Sequence, residues 1–140
     1  MKTRVLLAAL LVVLGAAPLH AAKSRDELLF QINAALLAGD RAAFTRCINF
    51  AGSDKATRAS FTKIVEQIFR WPTHYVFATD RKDHDNPRIE QGGKFYRLNG
   101  DWRFQVHIFL SKKTSAGFVF PAGSVEGKYF VLVAVPEKTP

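Results

Sequence analysis

The hydrophobic period of this sequence changes once, at Trp71-Pro72, and that change restricts the chain to few folds. Before it, apolar residues recur at helical spacing, most regularly as Phe61, Ile64, Val65, Ile68 and Phe69, which fall on one stripe of an α-helix. After it they alternate. Trp102, Phe104, Val106, Ile108 and Leu110 take one face of a strand, and Arg103, Gln105, His107, Phe109 and Ser111 take the other. Proline disfavours helical backbone at the residue before it, so Pro72 separates the two textures. Helices first and strands afterwards read as an α+β domain with an antiparallel sheet, because parallel βαβ units require the two to alternate.

Two shorter helices precede the long one. Ser24 as N-cap with Glu27 three residues on forms a capping box, and Leu28, Leu29, Ile32, Ala35 and Leu36 give the first helix its stripe. Gly39 supplies a left-handed stop, and Asp40 recaps a second helix carrying Ala43, Phe44, Cys47 and Ile48. In the second half the spacing predicts strands over 74–79, 94–98, 101–111, 117–120 and 128–135, with a charged loop over 80–91. Asn99-Gly100 reads as the two-residue turn of a hairpin, since that dipeptide favours positive φ at both central positions. The expected architecture is three helices packed on one face of a curved antiparallel sheet of about five strands. Such curvature leaves a cone around the long helix whose open end is a place for a ligand.

The first residues suggest export. Lys2 and Arg4 precede the apolar run Val5–Leu14, which meets Pro18 too soon to span a bilayer, and Leu19-His20-Ala21 suits a cleavage site after Ala21. The expected domains are a signal peptide over 1–21, one α+β domain over 22–135 and a flexible tail over 136–140, with a periplasmic or secreted destination. The whole chain carries +8, and loss of Lys2 and Arg4 leaves +6. Because its charges alternate in sign, with pairs such as Arg81-Lys82 and Lys112-Lys113 as the longest runs, the basic surface reads as solvated rather than as a polyanion site. Export argues against nucleic acid as a partner, and no transmembrane segment is expected after cleavage. Cys47, the only cysteine, reads as a small buried apolar residue; it excludes an intramolecular disulfide.

The corner Ala-Ala-Leu-Leu-Ala-Gly-Asp over 34–40, the third helix, and Tyr96-Arg97-Leu98-Asn99-Gly100-Asp101-Trp102 together resemble the nuclear transport factor 2-like group of the cystatin-like fold. The β-hairpin that many of its members insert before the third helix has room here only in Asn49–Ser53. The resemblance implies a pocket rather than a reaction, because the group spans isomerases, dehydratases, cyclases and proteins without chemistry. No catalytic residue, cofactor or metal ligand carries over.

The residues themselves supply several candidates and no catalytic signature. His107, on the mixed face beside Arg103, suits a pocket histidine exchanging protons near neutral pH, and equally a hydrogen-bonded surface residue. His74, Tyr75, Tyr96 and Tyr129 are polar-tipped aromatics able to ring a cavity mouth or simply to pack. Asp101 pairs naturally with turn chemistry. Asp80, Asp83, His84, Asp85 and Glu90 lack the spacing of a calcium loop, and Arg81, Lys82 and Arg88 interleave them. No serine sits in a nucleophile elbow and no glycine pair in a phosphate loop. Three readings follow: a non-catalytic binding or accessory domain for an unidentified small molecule or protein; a pocket enzyme of isomerase or dehydratase type using His107, Asp101 and His74; and a homodimeric module using the sheet face of Arg103, Gln105, His107 and Phe109.

Overall fold

The computed structural model describes residues 20–83, 85–114 and 116–138. Most of the expected signal segment, and His84 of the charged loop, therefore lie outside the described residues. Among the described residues three helices come first: α1 (Arg25–Ala38), α2 (Arg41–Arg46) and α3 (Lys55–Phe69). Their ends follow the local chemistry. Ser24 Oγ accepts from the Glu27 backbone N–H, while the Glu27 carboxylate reaches past Ser24 to the backbone N–H of Lys23. Gly39 closes α1 at φ 65°, and the Asp40 and Asp54 side chains cap α2 and α3.

Seven strands follow, divided between two sheets: β1 (Tyr75–Asp80), β2 (Ile89–Gln91), β3 (Lys94–Leu98), β4 (Asp101–Phe109), β5 (Gly117–Val125), β6 (Lys128–Val131) and β7 (Ala134–Pro136). The larger sheet is a curled antiparallel one in the order β1-β4-β5-β6, and the smaller has the order β2-β3-β7. The α+β class and the helices covering one sheet face are as the periodicity dictates. Division into two sheets is not.

The cause lies at Asn99-Gly100. The strands it joins do not pair: β3 bonds to β2 and β7, and β4 to β1 and β5. Gly100 has no positive φ. Instead, the Asn99 amide nitrogen donates to the carbonyls of Asn49 and Ala51, its side-chain oxygen accepts from Val133 N–H, and its own N–H donates to Val133. That staple makes the dipeptide a corner between sheets. Glycine is needed there for space, since a Cβ at Gly100 would meet Leu132 Cδ2 and Val125 Cγ2, each at 2.7 Å. The tight two-residue links are elsewhere: Gly92-Gly93 between β2 and β3, and Glu126-Gly127 between β5 and β6, each with positive φ at both positions.

Two further boundaries move. The run 128–135 breaks after Val131, where the chain leaves the larger sheet and, after Leu132 and Val133, joins the smaller. Pro136 and Glu137, expected in the tail, belong to that smaller sheet, with the Glu137 N–H donating to the Phe95 carbonyl.

The core lies between the helices and the covered face of the larger sheet. Leu28, Ile32, Phe44, Ile68, Phe104, Val106, Ile108 and Val131 are buried within it, and among the described residues no polar or charged side chain is. Phe61 of α3, half-buried, packs against this core, edge-on to Phe50 at 5.7 Å and 6.0 Å from Phe120 of β5.

Candidate functional site

The uncovered face of the larger sheet holds the densest group of sequence-predicted residues. Alternation and register set it out as a grid across β1, β4 and β5: Tyr75, Phe109 and Gly117 in one row, Phe77, His107 and Val119 in the next, Thr79, Gln105 and Pro121 in the third. Its aromatic rings pack on one another. Phe77 stacks flat on His107 at 4.4 Å and stands edge-on to Phe109 at 5.5 Å, and Tyr75 lies 5.2 Å from Phe77. Gly117 makes this possible, because a side chain there would collide with the Phe109 ring and the Ile108 carbonyl. Val119 is 49% exposed at the end of the central row.

His107 is the one histidine in the grid, and no Asp, Glu, Lys or Arg stands with it. Its Nε2 lies 2.8 Å from Thr79 Oγ1. Its Nδ1 is buried without a hydrogen-bond partner. An N–H at Nδ1 would be left without an acceptor, so the neutral ring with Nε2 protonated toward Thr79 is the form this setting favours. Burial accordingly pushes the imidazole below its ordinary range.

The other predicted residues go to separate places. His74 Nε2 donates to the Ile68 carbonyl at 2.6 Å, satisfying one of the last carbonyls of α3. Tyr96 sits in the smaller sheet with its hydroxyl toward the Asp54 carboxylate. That carboxyl is held below its usual range first by the Thr57 backbone N–H, with Tyr96 contributing less. Tyr129 lies on β6, at the opposite edge of the larger sheet from Tyr75. The four aromatics therefore do not ring one cavity. Asp101 is bound to Arg103 at 2.8 Å. It stands six residues from His107 along β4, about 20 Å at roughly 3.4 Å per residue, too far for the two to share a proton-transfer step.

Sequence reading missed Phe77, Val119 and Pro121 as members of this face. The signal for Phe77 was present in the alternation Tyr75, Phe77, Thr79; that for Val119 and Pro121 was hidden because β5 continues through a proline. Among the described residues no three His, Cys, Asp or Glu side chains gather to hold a metal ion, and no helix is long and apolar enough to cross a membrane.

A second grouping, on the smaller sheet, has no counterpart in the sequence reading. Arg88, Gly93, Lys94, Phe95, Pro136, Glu137 and Lys138 line a cleft of about 490 Å³. The Glu137 carboxylate accepts from Arg88 on one oxygen and from Arg97 on the other, both at 2.7 Å. Compared with known proteins, the chain matches no family model, no curated protein and no solved structure.

Proposed function

We propose that this protein is an exported, non-catalytic binding module that works through the uncovered face of its larger sheet, and that a second copy of the chain covers that face. The observation that carries the reading is the grid of Tyr75, Phe77, Phe109, His107, Val119 and their neighbours, an aromatic surface with no helix over it. The rings are half-buried against one another and Val119 is exposed, and contiguous apolar surface left to solvent marks contact sites.

Charge argues for self-association. With His107 neutral, none of the nine grid residues carries a charge, whereas the chain without residues 1–21 carries +6 by the count above. Most of the surface of so basic a protein repels its own copy; this face, where Lys112 over the Tyr75 ring at one corner is the cation, repels it less. A two-fold axis through the central row would set Phe77, His107 and Val119 against themselves, an isologous contact. The four strands, six, nine, nine and four residues long, span roughly 460 Å² at about 4.8 Å between strands and about 3.4 Å per residue before side-chain relief is counted, over half of the roughly 800 Å² per partner of stable interfaces.

A small-ligand pocket between helices and sheet has less behind it, because Phe50, Phe61 and Phe120 pack together there and among the described residues no polar side chain is buried. Export rests on the charge and apolar pattern of residues 1–21, and kinship with the nuclear transport factor 2-like group rests on the Gly39-Asp40 corner and the order of helices before a curled sheet.

Light scattering at two protein concentrations, on the chain beginning at Ala22, tests the reading. A mass rising toward that of two chains is expected, and Val119→Glu, at an exposed position, should hold the protein monomeric with its fold intact. A monomeric mass at both concentrations, or a dimer indifferent to Val119→Glu, would overturn it.

A further inference from the structure

The cleft on the smaller sheet gathers charges that are scattered along the chain. Arg88 comes from the segment before β2, Lys94 and Arg97 from β3, and Lys138 from beyond β7. Register brings them together: Phe95 is paired with Glu90 and lies opposite Glu137. The charged groups lining the cleft are three cations, Arg88, Lys94 and Lys138, against one carboxylate, Glu137; Arg97 holds Glu137 from outside the lining, Glu90 is paired with Phe95, and Asp54 shares the field of Lys94 from the side.

Two of the cations are held in place. The Arg88 guanidinium carbon lies over the Phe95 ring, 3.7 Å from its centroid, and the group gives its Nε and Nη2 to one Glu137 oxygen. Arg97 gives its Nε to the other. Glu137 therefore acts as a strut between two arginines, and the Nη1 group of Arg88 is not among the atoms it engages. Guanidinium forks fixed in this way read carboxylate and phosphate oxygens, and a stacked arginine has less freedom to lose on binding than a loose one. Phe95 itself stays 39% exposed, an apolar floor beside the charges.

We propose that this cleft binds a small organic molecule bearing two or more oxyanion charges, held by Arg88 and Lys138 with Phe95 beneath its carbon skeleton, while Arg97 keeps Glu137 in place. The volume suits a molecule of that size, at the lower end of ligand sites. The site lies on the other sheet from the self-association face, so either can stand without the other.

Isothermal titration calorimetry at fixed ionic strength provides the test, with pyrophosphate and citrate as probes for the phosphoryl and carboxylate forms of the same chemistry. Saturable binding of either supports the site, and the tighter of the two names the source of the oxyanion. Arg88→Gln and Lys138→Gln should each weaken it about tenfold, the order expected for losing one charge-assisted contact. Both side chains are at the surface, and Lys138→Gln touches no ion pair of the strut, so one variant stays informative if the other disturbs the sheet. Absence of saturable heat with both probes overturns the proposal. Binding that survives both substitutions but is lost on neutralising Lys112 and Lys113 overturns it too.

Discussion

Two side chains show how burial sets chemistry at single positions. Cys47 is 5% exposed, and burial pushes its thiol up to about 11. At pH 8 the thiolate fraction is then about 10⁻³, against roughly a quarter for a free thiol, so alkylation of the native protein should run at least about 100-fold slower than in guanidinium. Rapid labelling of the native protein would show that Cys47 is not enclosed by α1 and α2. His107 works in the opposite direction. Its folded pKa lies below the ordinary 6.5 because burial disfavours the cation. Below that value the unfolded chain takes up a proton that the folded chain resists, so the stability this residue contributes is complete above about pH 6.5 and is lost as pH falls through its lower folded pKa. Urea midpoints at one protein concentration should therefore drop more between about pH 7 and about pH 5 in the wild type than in His107→Gln. The remaining histidines are common to both proteins. Parallel pH profiles would refute the assignment of a strained cation to His107.

At the scale of elements, α1 separates two adjacent leucines. Leu36 is 6% exposed and Leu37 82%, one angular step apart on a helix that is apolar nearly all round. Leu36→Ala should cost about 2–5 kcal/mol in chemical denaturation and Leu37→Ala within about 0.5 kcal/mol, a contrast that substitution type alone cannot give. Equal costs would mean that the outer face of α1 is covered. The helices were legible in the sequence because their caps are local: Ser24, Gly39 and Asp40 act on atoms within four residues. The strands were legible only as strands. Asn99-Gly100 has the stronger intrinsic hairpin preference, yet hydrogen bonds from Asn99 to residues 34 to 50 positions away decide its geometry, while Glu126-Gly127 takes the tight turn because β5 and β6 impose it. The grid on the uncovered face was half visible, through the period-two pattern of β4. The cleft was not visible at all, because Arg88, Arg97 and Glu137 meet only through β2-β3-β7 pairing.

For the molecule as a whole, the two edges of the larger sheet are treated differently. The β1 edge ends in Asp80, which is tied to Arg25 of α1. The β6 edge is covered by chain from outside the sheet: Tyr129 N–H donates to the Ala22 carbonyl at 2.9 Å, Val131 N–H to Cys47 at 2.8 Å, and Asn49 N–H returns to Val131 at 2.9 Å. An open edge is a template for pairing with other chains, so these bridges close the sheet as well as bracing it. Ala22, 1% exposed, is the outermost brace, and it is the residue that the expected cleavage would leave at the head of the chain. A chain beginning at Ser24 loses the Ala22 carbonyl and its buried methyl, which should cost about 1–3 kcal/mol relative to one beginning at Ala22. Ala22→Gly keeps the carbonyl and should cost under about 1 kcal/mol, less than the truncation, which separates the backbone bond from the side-chain packing. Urea unfolding of the three proteins measures both terms. If the Ser24 chain unfolds at the same midpoint as the Ala22 chain, the brace contributes nothing and the edge of β6 is protected by Cys47 and Asn49 alone.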